Sequence, residues 1–377
     1  MSTISVGRST IVHKDDFAYI SHPSIAVLSN GDWLAAFNHS RRRQPYQHPP
    51  SDPLFRTLLA RSSDQGQHWS APWFAPDFDW YGTECPGIAQ LRDGTVVLTQ
   101  FRFAWYPLGL AEKLRAEGVS ISIKLPGKGW TEEFSERDLS DAEHTWARGY
   151  HGLYAHLSAV GGDSFSHTTK MGTGPYLDGY TRTGVIHLAD GRLAYAVAEH
   201  PIGRNTYILF SGDGGSTWNP PVLIVDSPDG VFSEPDIAEV ASDELYCILR
   251  SERPISQDVY YLHGSRSVDG GKTWSAPAAT AMDGIPGHLL VLADGRLLCT
   301  YARRRAPFGI YASLSEDAGR TWKVDEEIVI RDDLPNRDLG YPTTIEYEPG
   351  KLFVCYYGQE LDGVTCVQGA YLDIDCG

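Results

Sequence analysis

Two stretches, SGDGGSTW at residues 211–218 and SVDGGKTW at residues 267–274, share the pattern Ser-x-Asp-x-Gly-x-x-Trp, which we call the box motif. Complete copies occur four times, at Ser62/Asp64/Gly66/Trp69, Ser211/Asp213/Gly215/Trp218, Ser267/Asp269/Gly271/Trp274 and Ser315/Asp317/Gly319/Trp322. A degenerate fifth copy keeps Asp141 and Trp146 but has Leu139 and Glu143 at the Ser and Gly positions. Ser and Asp bond nearby backbone amides and Gly adopts a positive φ, so the motif predicts a repeated local turn.

A second repeat, of tight turns between apolar runs, alternates with the box motif. These turns are Asn30-Gly31, Asp93-Gly94, Asp190-Gly191, Asp243-Glu244, Asp294-Gly295 and Pro349-Gly350. Such dipeptides between apolar runs are typical of β-hairpins. Six hairpins, the first five each followed by a box motif, predict six four-stranded antiparallel units, and radial repetition of such units is a β-propeller. The sequence therefore predicts an all-β, six-bladed β-propeller, with residues 3–12 closing the ring against the C-terminal strands.

The spacing of the turns is interrupted once. Gly94 and Gly191 lie 97 residues apart, far more than the other intervals between turns. An extra segment of this kind is more often functional than a linker. Because a propeller closes on itself, the sequence predicts a single domain over residues 1–377, with an insertion within about 101–180.

The composition excludes several classes of function. The chain has 32 Lys and Arg against 48 Asp and Glu, a net charge of −16, which repels phosphate backbones, so we expect no nucleic-acid partner. No apolar run is long enough for a membrane span and the N-terminus lacks a secretory signal, so we expect no membrane partner and a cytoplasmic protein. The six scattered cysteines are expected to be thiols. Without metal-ligand spacing or a nucleotide fingerprint, no metal and no cofactor are expected.

Alignment on the turns identifies the side chains that face the centre of the ring, because each innermost strand begins eight or nine residues before its turn. The aligned pairs are Ser21-His22, Glu84-Cys85, Thr181-Arg182, Ser233-Glu234, Ile285-Pro286 and Gly340-Tyr341. Ionisable groups are costly to bury unless they are paired or used. The central set therefore favours a ligand site, with Glu84 and Arg182 as substrate-binding residues; a channel mouth lined by solvated side chains is the alternative.

In these motifs the chain resembles the sialidase superfamily, whose Asp-box (BNR) repeats match the box motif over nearly the whole chain apart from the long interval. The resemblance implies a Tyr nucleophile activated by a Glu, three Arg that hold a substrate carboxylate, and an Asp acid/base. By position it implies Tyr341 as the nucleophile and Glu234 as its base. It also implies Arg250 as one arginine of the triad and, within the run 303–305, Arg304 or Arg305 as another.

The Tyr–Glu pair has a physical reason. A phenol with a pKa near 10 is a poor nucleophile at neutral pH. A carboxylate within hydrogen-bonding reach can take its proton, and nearby guanidinium charge is expected to favour the phenolate.

Two positions depart from the superfamily pattern. His22 stands where the resemblance implies an arginine of the triad, and Arg56 stands where it implies the Asp acid/base. We therefore consider His22 or Asp52 as the acid/base. The segment HSRRRQPYQHPPSD at 39–52 leads towards the same rim. Its arginines Arg41, Arg42 and Arg43, together with Arg56, are predicted to bind an anionic substrate; a solvated basic loop is the alternative.

The predicted function is that of an exo-glycosidase that hydrolyses a terminal acidic sugar, either sialic-acid-like or a uronate. The expected partner is an acidic oligosaccharide or glycoside. A polysaccharide lyase acting on a uronate by β-elimination is the first alternative, since Tyr341, His22 and the arginines also suit that reaction. A carbohydrate-binding propeller without turnover is the second, because a fold alone determines no function.

Overall fold

The computed structural model describes residues 4–43, 51–76, 81–159, 161–181, 183–200 and 204–375. Within these ranges the strands form six antiparallel sheets, of which five are propeller blades and one is a larger, half-barrel sheet. The prediction of an all-β propeller is confirmed. The prediction of six four-stranded blades is wrong, because the structure has five blades and one half-barrel sheet.

The first half of the chain forms β1, two blades and the larger sheet. The chain begins with β1 (Ile4–His13), followed by the first blade, β2 (Ala18–Val27), β3 (Trp33–Arg41), β4 (Arg56–Ser62) and β5 (Trp73–Phe74). The larger sheet contains β6 (Tyr81–Gln90), β7 (Val96–Pro107), β8 (Ile121–Leu125), β9 (Gly129–Thr131), β10 (Trp146–Ser158) and β11 (His167–Lys170). The second blade contains β12 (Gly179–Tyr180), β13 (Ile186–His187), β14 (Leu193–Glu199), β15 (Asn205–Ser211) and β16 (Val222–Asp226).

Three further blades complete the ring. The third blade contains β17 (Phe232–Ala241), β18 (Glu244–Ser251), β19 (Tyr261–Ser267) and β20 (Ala278–Asp283). The fourth contains β21 (Gly287–Val291), β22 (Leu297–Arg303), β23 (Gly309–Ser315) and β24 (Ile328–Arg331). The fifth contains β25 (Gly340–Glu348), β26 (Lys351–Gln359) and β27 (Thr365–Ile374) together with β1. The helical segments are α1 (Ala111–Ala116) and the 3-10 turns Leu108–Leu110, Glu136–Asp141 and Val324–Glu326.

The last blade takes its outermost strand from the beginning of the chain. β1 pairs antiparallel with β27, from Ile4 opposite Ile374 to His13 opposite Val367. The prediction that the N-terminal residues close the ring is confirmed. Closure of this kind joins the first and last parts of the chain and leaves few unpaired strand edges.

The larger sheet differs from a four-stranded blade because an extra segment of the chain lies between its second and third strands, β7 and β10. β7 and β10 pair from Val96 opposite Ser158 to Pro107 opposite Trp146, and their 12 and 13 residues make them longer than the blade strands. The segment between them carries α1 and the β8–β9 hairpin, and β8 pairs with the start of β10 at Arg148 and Gly149. The extra segment therefore adds β8 and β9 to the sheet, so that this unit is not a four-stranded blade.

Apolar side chains are buried between neighbouring sheets. The strand β14 is buried along its whole length, because the adjacent sheets cover both of its faces. Phe210 and Leu245, for example, pack together in the core between the second and third blades. Cys85, Cys247, Cys299, Cys355 and Cys366 are buried thiols, and Cys376 lies outside the described residues. Among the helices that the structure describes, none has the length and apolarity needed to cross a membrane.

The box motifs are closed local networks of hydrogen bonds. In the fourth copy the Ser315 hydroxyl donates to Asp317 Oδ1 at 2.8 Å and accepts the Gly319 N–H at 2.8 Å. The Asp317 carboxylate also accepts the backbone N–H and the hydroxyl of Thr321, at 2.8 and 2.6 Å. Gly319 has a φ of +82°, and a Cβ there would lie 3.1 Å from the Tyr246 ring, so both conformation and space favour glycine.

The degenerate fifth box motif lies elsewhere than predicted. Asp141 ends a 3-10 turn and Trp146 begins β10, so this stretch does not connect a third strand to a fourth. That connection is made after β10, where the Ser158 hydroxyl accepts the Gly162 N–H at 3.2 Å. Phe165 stands at the Trp position of this copy. The position of the motif at the end of the third strand identifies it, and the repeat pattern alone does not reveal that strand.

Replacement of Asp317 by alanine is expected to destabilise the protein by about 1 to 3 kcal/mol, because several donors lose a shared acceptor. Urea unfolding monitored by fluorescence measures the change. Asp325→Ala is the control, since Asp325 is an exposed carboxylate in the same connection between β23 and β24. Equal midpoints for the two variants would show that the network contributes nothing to stability.

Candidate active site

A pocket of about 550 Å³ lies where the inner strands of several sheets begin. Six of the predicted site residues line it: His22, Glu84, Glu234, Arg250, Arg304 and Tyr341. They come from five different strands and one connection, and they are far apart in the sequence. The symmetry of the ring brings them together.

Four residues at equivalent positions have a left-handed backbone conformation. His22, Cys85, Glu234 and Tyr341 have φ values of 51°, 46°, 43° and 50°. Each precedes a proline and lies at a register shift between the first two strands of its sheet. Proline has no N–H to lose from the ladder, and a bulge redirects the neighbouring side chain. Strained conformations of this kind cluster at functional sites. In the larger sheet Cys85 has the left-handed conformation, and Glu84, which lines the pocket, is the residue before it.

A chain of polar contacts connects Tyr341 to the strand β18. The Tyr341 hydroxyl donates a short hydrogen bond to Glu234 Oε1. Arg250 Nη1 donates to the other oxygen of the same carboxylate at 2.8 Å. The Nε of Arg250 lies 3.2 Å from Glu252, which in turn accepts the hydroxyl of Ser233. Both oxygens of Glu234 are therefore held, and the phenol is aligned with its base.

The protonation states of this pair follow from burial and charge. Burial opposes ionisation of Glu234, but the charge of Arg250 and the hydrogen bonds from Tyr341 and Arg250 outweigh it and lower the carboxyl pKa. Burial, reinforced by the charge of Glu234, raises the pKa of Tyr341 well above its usual value despite Arg250 and Arg304. The charges of Arg250 and Arg304 favour the phenolate, as expected, but burial and the charge of Glu234 outweigh them. A neutral phenol faces an ionised carboxylate that can accept its proton.

The ring of Tyr341 is enclosed by three further side chains. The guanidinium carbon of Arg304 lies 5.6 Å from the centre of the ring, and Arg304 Nε donates to the Leu339 carbonyl at 3.0 Å. The His22 ring packs edge-on at a centroid distance of 4.2 Å, and the Tyr357 ring lies at 5.9 Å. The Ser21 hydroxyl and His22 Nδ1 form a hydrogen bond of 2.7 Å. The phenol is thus held in one orientation within the pocket.

Three further titratable groups of the pocket, Glu84, Asp338 and His200, also have shifted pKa values. Burial raises the pKa of Glu84 to about 7, although the charge of Arg148 acts in the opposite direction. Burial also raises the pKa of Asp338, whose carboxylate accepts the Tyr19 hydroxyl at 2.5 Å. Burial and the charge of Arg148 lower the pKa of His200 well below its usual value. The pocket therefore combines a deprotonated Glu234 with a second glutamate that retains its proton up to near-neutral pH.

The raised pKa of Glu84 predicts a pH-dependent stability. The unfolded carboxyl ionises near its usual value of 4.5 and the folded one near 7, so the stability present below about pH 4.5 is lost as the pH rises to 7. Glu84→Gln remains neutral. We expect its stability relative to the wild type to increase over this range by at most about 3 kcal/mol. Denaturant unfolding at several pH values, in buffer with a chelator, measures the difference; a gap that is independent of pH would contradict the shift. Glu112→Gln, on the surface of α1, is the control.

Three side chains with donor atoms that metals bind lie together in the described part of the site. One donor atom each of His22, Glu84 and Cys85 lies within 4.8 Å of the others. An imidazole, a carboxylate and a thiol are a set that zinc accepts. These residues could hold an ion, and the expectation that the protein binds no metal stays a prediction.

Other predicted residues do not line this pocket. Asp52 is almost fully buried and forms a two-pronged ion pair with Arg43, at 2.5 and 3.0 Å. Arg42 donates to the Gly363 carbonyl at 2.8 Å. Arg41 and Arg56 line a separate, more apolar groove next to Phe17, Leu54 and Phe74.

Arg305 and Arg182 are the two remaining predicted residues. Arg305 is paired with Asp283, so that of the two alternatives the structure brings Arg304 to the site. Arg182 lies outside the described residues. Arg41 ends β3 and Arg56 begins β4, and both side chains lie in the other groove. Because Asp52 is held by Arg43, we do not retain it as the acid/base.

Several residues of the pocket are not predicted by the sequence pattern. They are Ser51, Lys124, Lys128, Trp130, Arg148, His200, Glu252, Asp338 and Tyr357. For two of them, Tyr357 and Glu252, the pairing of the strands could have indicated a position at the site. Tyr357 pairs with Gly340, next to Tyr341, and Glu252 follows Arg250 by two residues on the same face. The residues of the β8–β9 hairpin and of β10 had no such signal, because the extra segment does not follow the repeat.

The family model of the BNR repeat-like domain matches residues 139–354, more than half of the chain. The chain belongs to this family. The resemblance to BNR-repeat propellers of the sialidase type is thereby confirmed for family and fold. Comparison with curated protein sequences gives no significant match.

Solved structures similar to this BNR repeat-like protein cover nearly all of it. A protein of unknown function from Dyadobacter fermentans has 24% identity and a TM-score of 0.80, with 99% of both chains covered. A variant of NanB sialidase from Streptococcus pneumoniae has 13% identity and a TM-score of 0.66, covering 96% of this chain and 70% of that chain. An α-L-arabinanase of Penicillium chrysogenum complexed with arabinobiose has 12% identity and a TM-score of 0.62, with 98% of both chains covered. At these identities the likeness shows the fold alone.

Proposed function

We propose that the protein is a glycoside hydrolase that releases a terminal acidic sugar, sialic-acid-like or a uronate. The hydrogen bond from Tyr341 to Glu234, inside a pocket that also contains Arg250 and Arg304, carries this proposal. A buried phenol aligned on an ionised carboxylate is the arrangement of an activated nucleophile. Arg304 beside it suits a substrate carboxylate, because arginine binds carboxylates with two parallel hydrogen bonds, and Arg250 adds positive charge although it is paired with Glu234 and Glu252.

The proposed reaction begins when the Tyr341 oxygen attacks the anomeric carbon. As the new C–O bond forms, the phenol proton moves to Glu234 and the bond from the anomeric carbon to the leaving oxygen breaks. Water then attacks the anomeric carbon and gives a proton to the carboxylate that protonated the leaving oxygen. The bond from the anomeric carbon to Tyr341 breaks, and the Tyr341 oxygen takes its proton back from Glu234. A neutral nucleophile suits an anomeric centre next to a carboxylate, because an Asp or Glu nucleophile would be repelled by it. Sialidases with a tyrosine nucleophile are a known exception to the two-carboxylate glycosidases.

The leaving oxygen requires a proton donor, and we propose Glu84 for this role. Its side chain lines the same pocket as Tyr341 and comes from the larger sheet, whereas Asp52 is held by Arg43 outside the pocket. The raised pKa of Glu84, about 7, supports a protonated acid at near-neutral pH. Asp338 also lines the pocket, but its carboxylate already accepts the Tyr19 hydroxyl.

Incubation of the protein with aryl glycosides and short oligosaccharides of sialic, glucuronic, galacturonic and iduronic acids tests this function. Hydrolysis adds one water to the products, whereas β-elimination adds none and produces an unsaturated uronate, so mass spectrometry distinguishes the two reactions. Elimination products would replace the hydrolase proposal by that of a lyase. Glycan binding in calorimetry without any product would replace it by that of a binding propeller.

A further inference from the structure

The extra segment between β7 and β10 contributes directly to the proposed active-site pocket. Lys124 on β8, Lys128 in the following turn and Trp130 on β9 line the pocket together with Arg148 on β10. Lys124, Lys128 and Trp130 come from outside the repeat, and Arg148 lies on the part of β10 that pairs with β8. Together they contribute three cations and one large aromatic ring. They are separate in sequence from the cations at Tyr341, of which Arg250 is already matched by Glu234 and Glu252.

The β8–β9 hairpin is held in place by its own small core and by the first blade. Ile121, Ile123 and Leu125 pack with Ala111 of α1 and with Phe134. The indole N–H of Trp130 donates to the Ser51 hydroxyl at 3.1 Å, and the indole N–H of Trp146 donates to the Ser51 carbonyl at 3.0 Å. These contacts fix the hairpin as a wall of the pocket.

The three cations on this wall differ in their exposure and in the groups that they contact. Arg148 is only 5% exposed, and its guanidinium carbon lies 4.5 Å from the Trp130 ring centre and 4.8 Å from that of Phe103. Lys124 is oriented by Glu143 at 3.1 Å. Lys128 is exposed at the turn. In a protein with a net charge of −16, such a group of cations next to an aromatic ring favours an anionic sugar.

We propose that Lys124, Lys128, Trp130 and Arg148 form a second subsite, which binds a negatively charged sugar next to the one that is released. The substrate is then an acidic oligosaccharide rather than a glycoside with an uncharged aglycone. This inference rests on the proposed function for the position of the bond that is cleaved. The pocket volume of about 550 Å³ agrees with it, because it lies in the range of sites that hold ligands larger than one sugar ring.

The test compares the dimer and trimer of one acidic sugar with its 4-nitrophenyl glycoside. We expect Lys128→Ala to lower the ratio of kcat/KM for the trimer to kcat/KM for the aryl glycoside by about tenfold, since one charge-assisted contact is lost. Lys128→Glu is expected to lower it further, and high salt should reduce both effects. Lys113→Ala is the matched control, because Lys113 is an exposed lysine of α1, 3.9 Å from Glu117 and outside the pocket lining.

The outcomes separate this inference from the proposed function. An unchanged ratio in both Lys128 variants, with active wild type, would overturn the subsite and leave the hydrolase intact. If the wild type cleaves none of these compounds, the proposed function fails, and calorimetry with the same dimers and trimers decides the subsite. Weaker binding to Lys128→Glu than to Lys113→Ala then supports it, and equal binding overturns it.

Discussion

Tyr341→Phe is expected to lower kcat/KM for an acidic glycoside by at least about a thousandfold, the scale of losses seen when a covalent nucleophile is removed. The variant keeps the ring between His22 and Arg304 and removes only the oxygen that would attack the anomeric carbon. The measurement is the rate of aglycone release on the best substrate found in the screen.

A buried tyrosine outside the pocket is the matched control. The Tyr356 hydroxyl accepts a hydrogen bond from Arg331 at 3.2 Å, and the ring is fully buried. Tyr356→Phe is expected to lose about 1 kcal/mol of stability and to retain its activity. If Tyr341→Phe keeps more than a tenth of the wild-type rate, Tyr341 is not the nucleophile.

Arg304→Ala is expected to lower kcat/KM on the same substrate by about a hundredfold, because the substrate carboxylate loses a charge-assisted contact. The neighbouring residue is an internal comparison. Arg305 lies outside the pocket lining and donates to Asp283 at 2.7 Å, a carboxylate that also has Arg303 within 3.5 Å. Arg305→Ala should therefore change the rate by less than about threefold.

A kinetic comparison on two substrates makes this prediction specific. On an aryl glycoside of the uncharged parent sugar, Arg304→Ala and wild type should show similar, low rates, because no carboxylate is present to be held. Equal losses in Arg304→Ala and Arg305→Ala on the acidic substrate would show that the run 303–305 acts through its net charge, and would contradict the placement of Arg304.

The repeats could be recognised in the sequence because the interactions that form them join residues that are close together in the chain. The box motif forms its hydrogen bonds within a few residues, as between Ser315, Asp317 and Gly319, and it appears wherever that local sequence recurs. The fifth copy was misplaced because Ser158 and Gly162 had to be recognised without the Asp and the Trp. The prediction of six blades is wrong because the segment after β7 adds strands that follow no repeat, so that one of the six sheets is a half-barrel.

The central residues could be found from register. Because every blade starts at the same distance before its turn, the sequence alone aligned His22, Glu234 and Tyr341, and the structure places all three in one pocket. Register does not extend to loops. The arginines at 41–43 and Asp52 were assigned to the rim, but Arg43 and Asp52 satisfy one another, since a buried carboxylate requires a partner.

The sequence by itself determined the propeller and the equivalent positions of Tyr341 and Glu234, because these depend on short-range turns and on the equivalence of repeated strands. The family resemblance implied Arg250 beside them. Only the tertiary structure decided between Arg304 and Arg305, removed Asp52 from the site and brought Lys124, Lys128, Trp130 and Arg148 into it. The reason is physical. The position of a segment that interrupts a repeat depends on which distant surfaces it packs against, such as Ser51 for Trp130 and Trp146, and no local pattern encodes that choice.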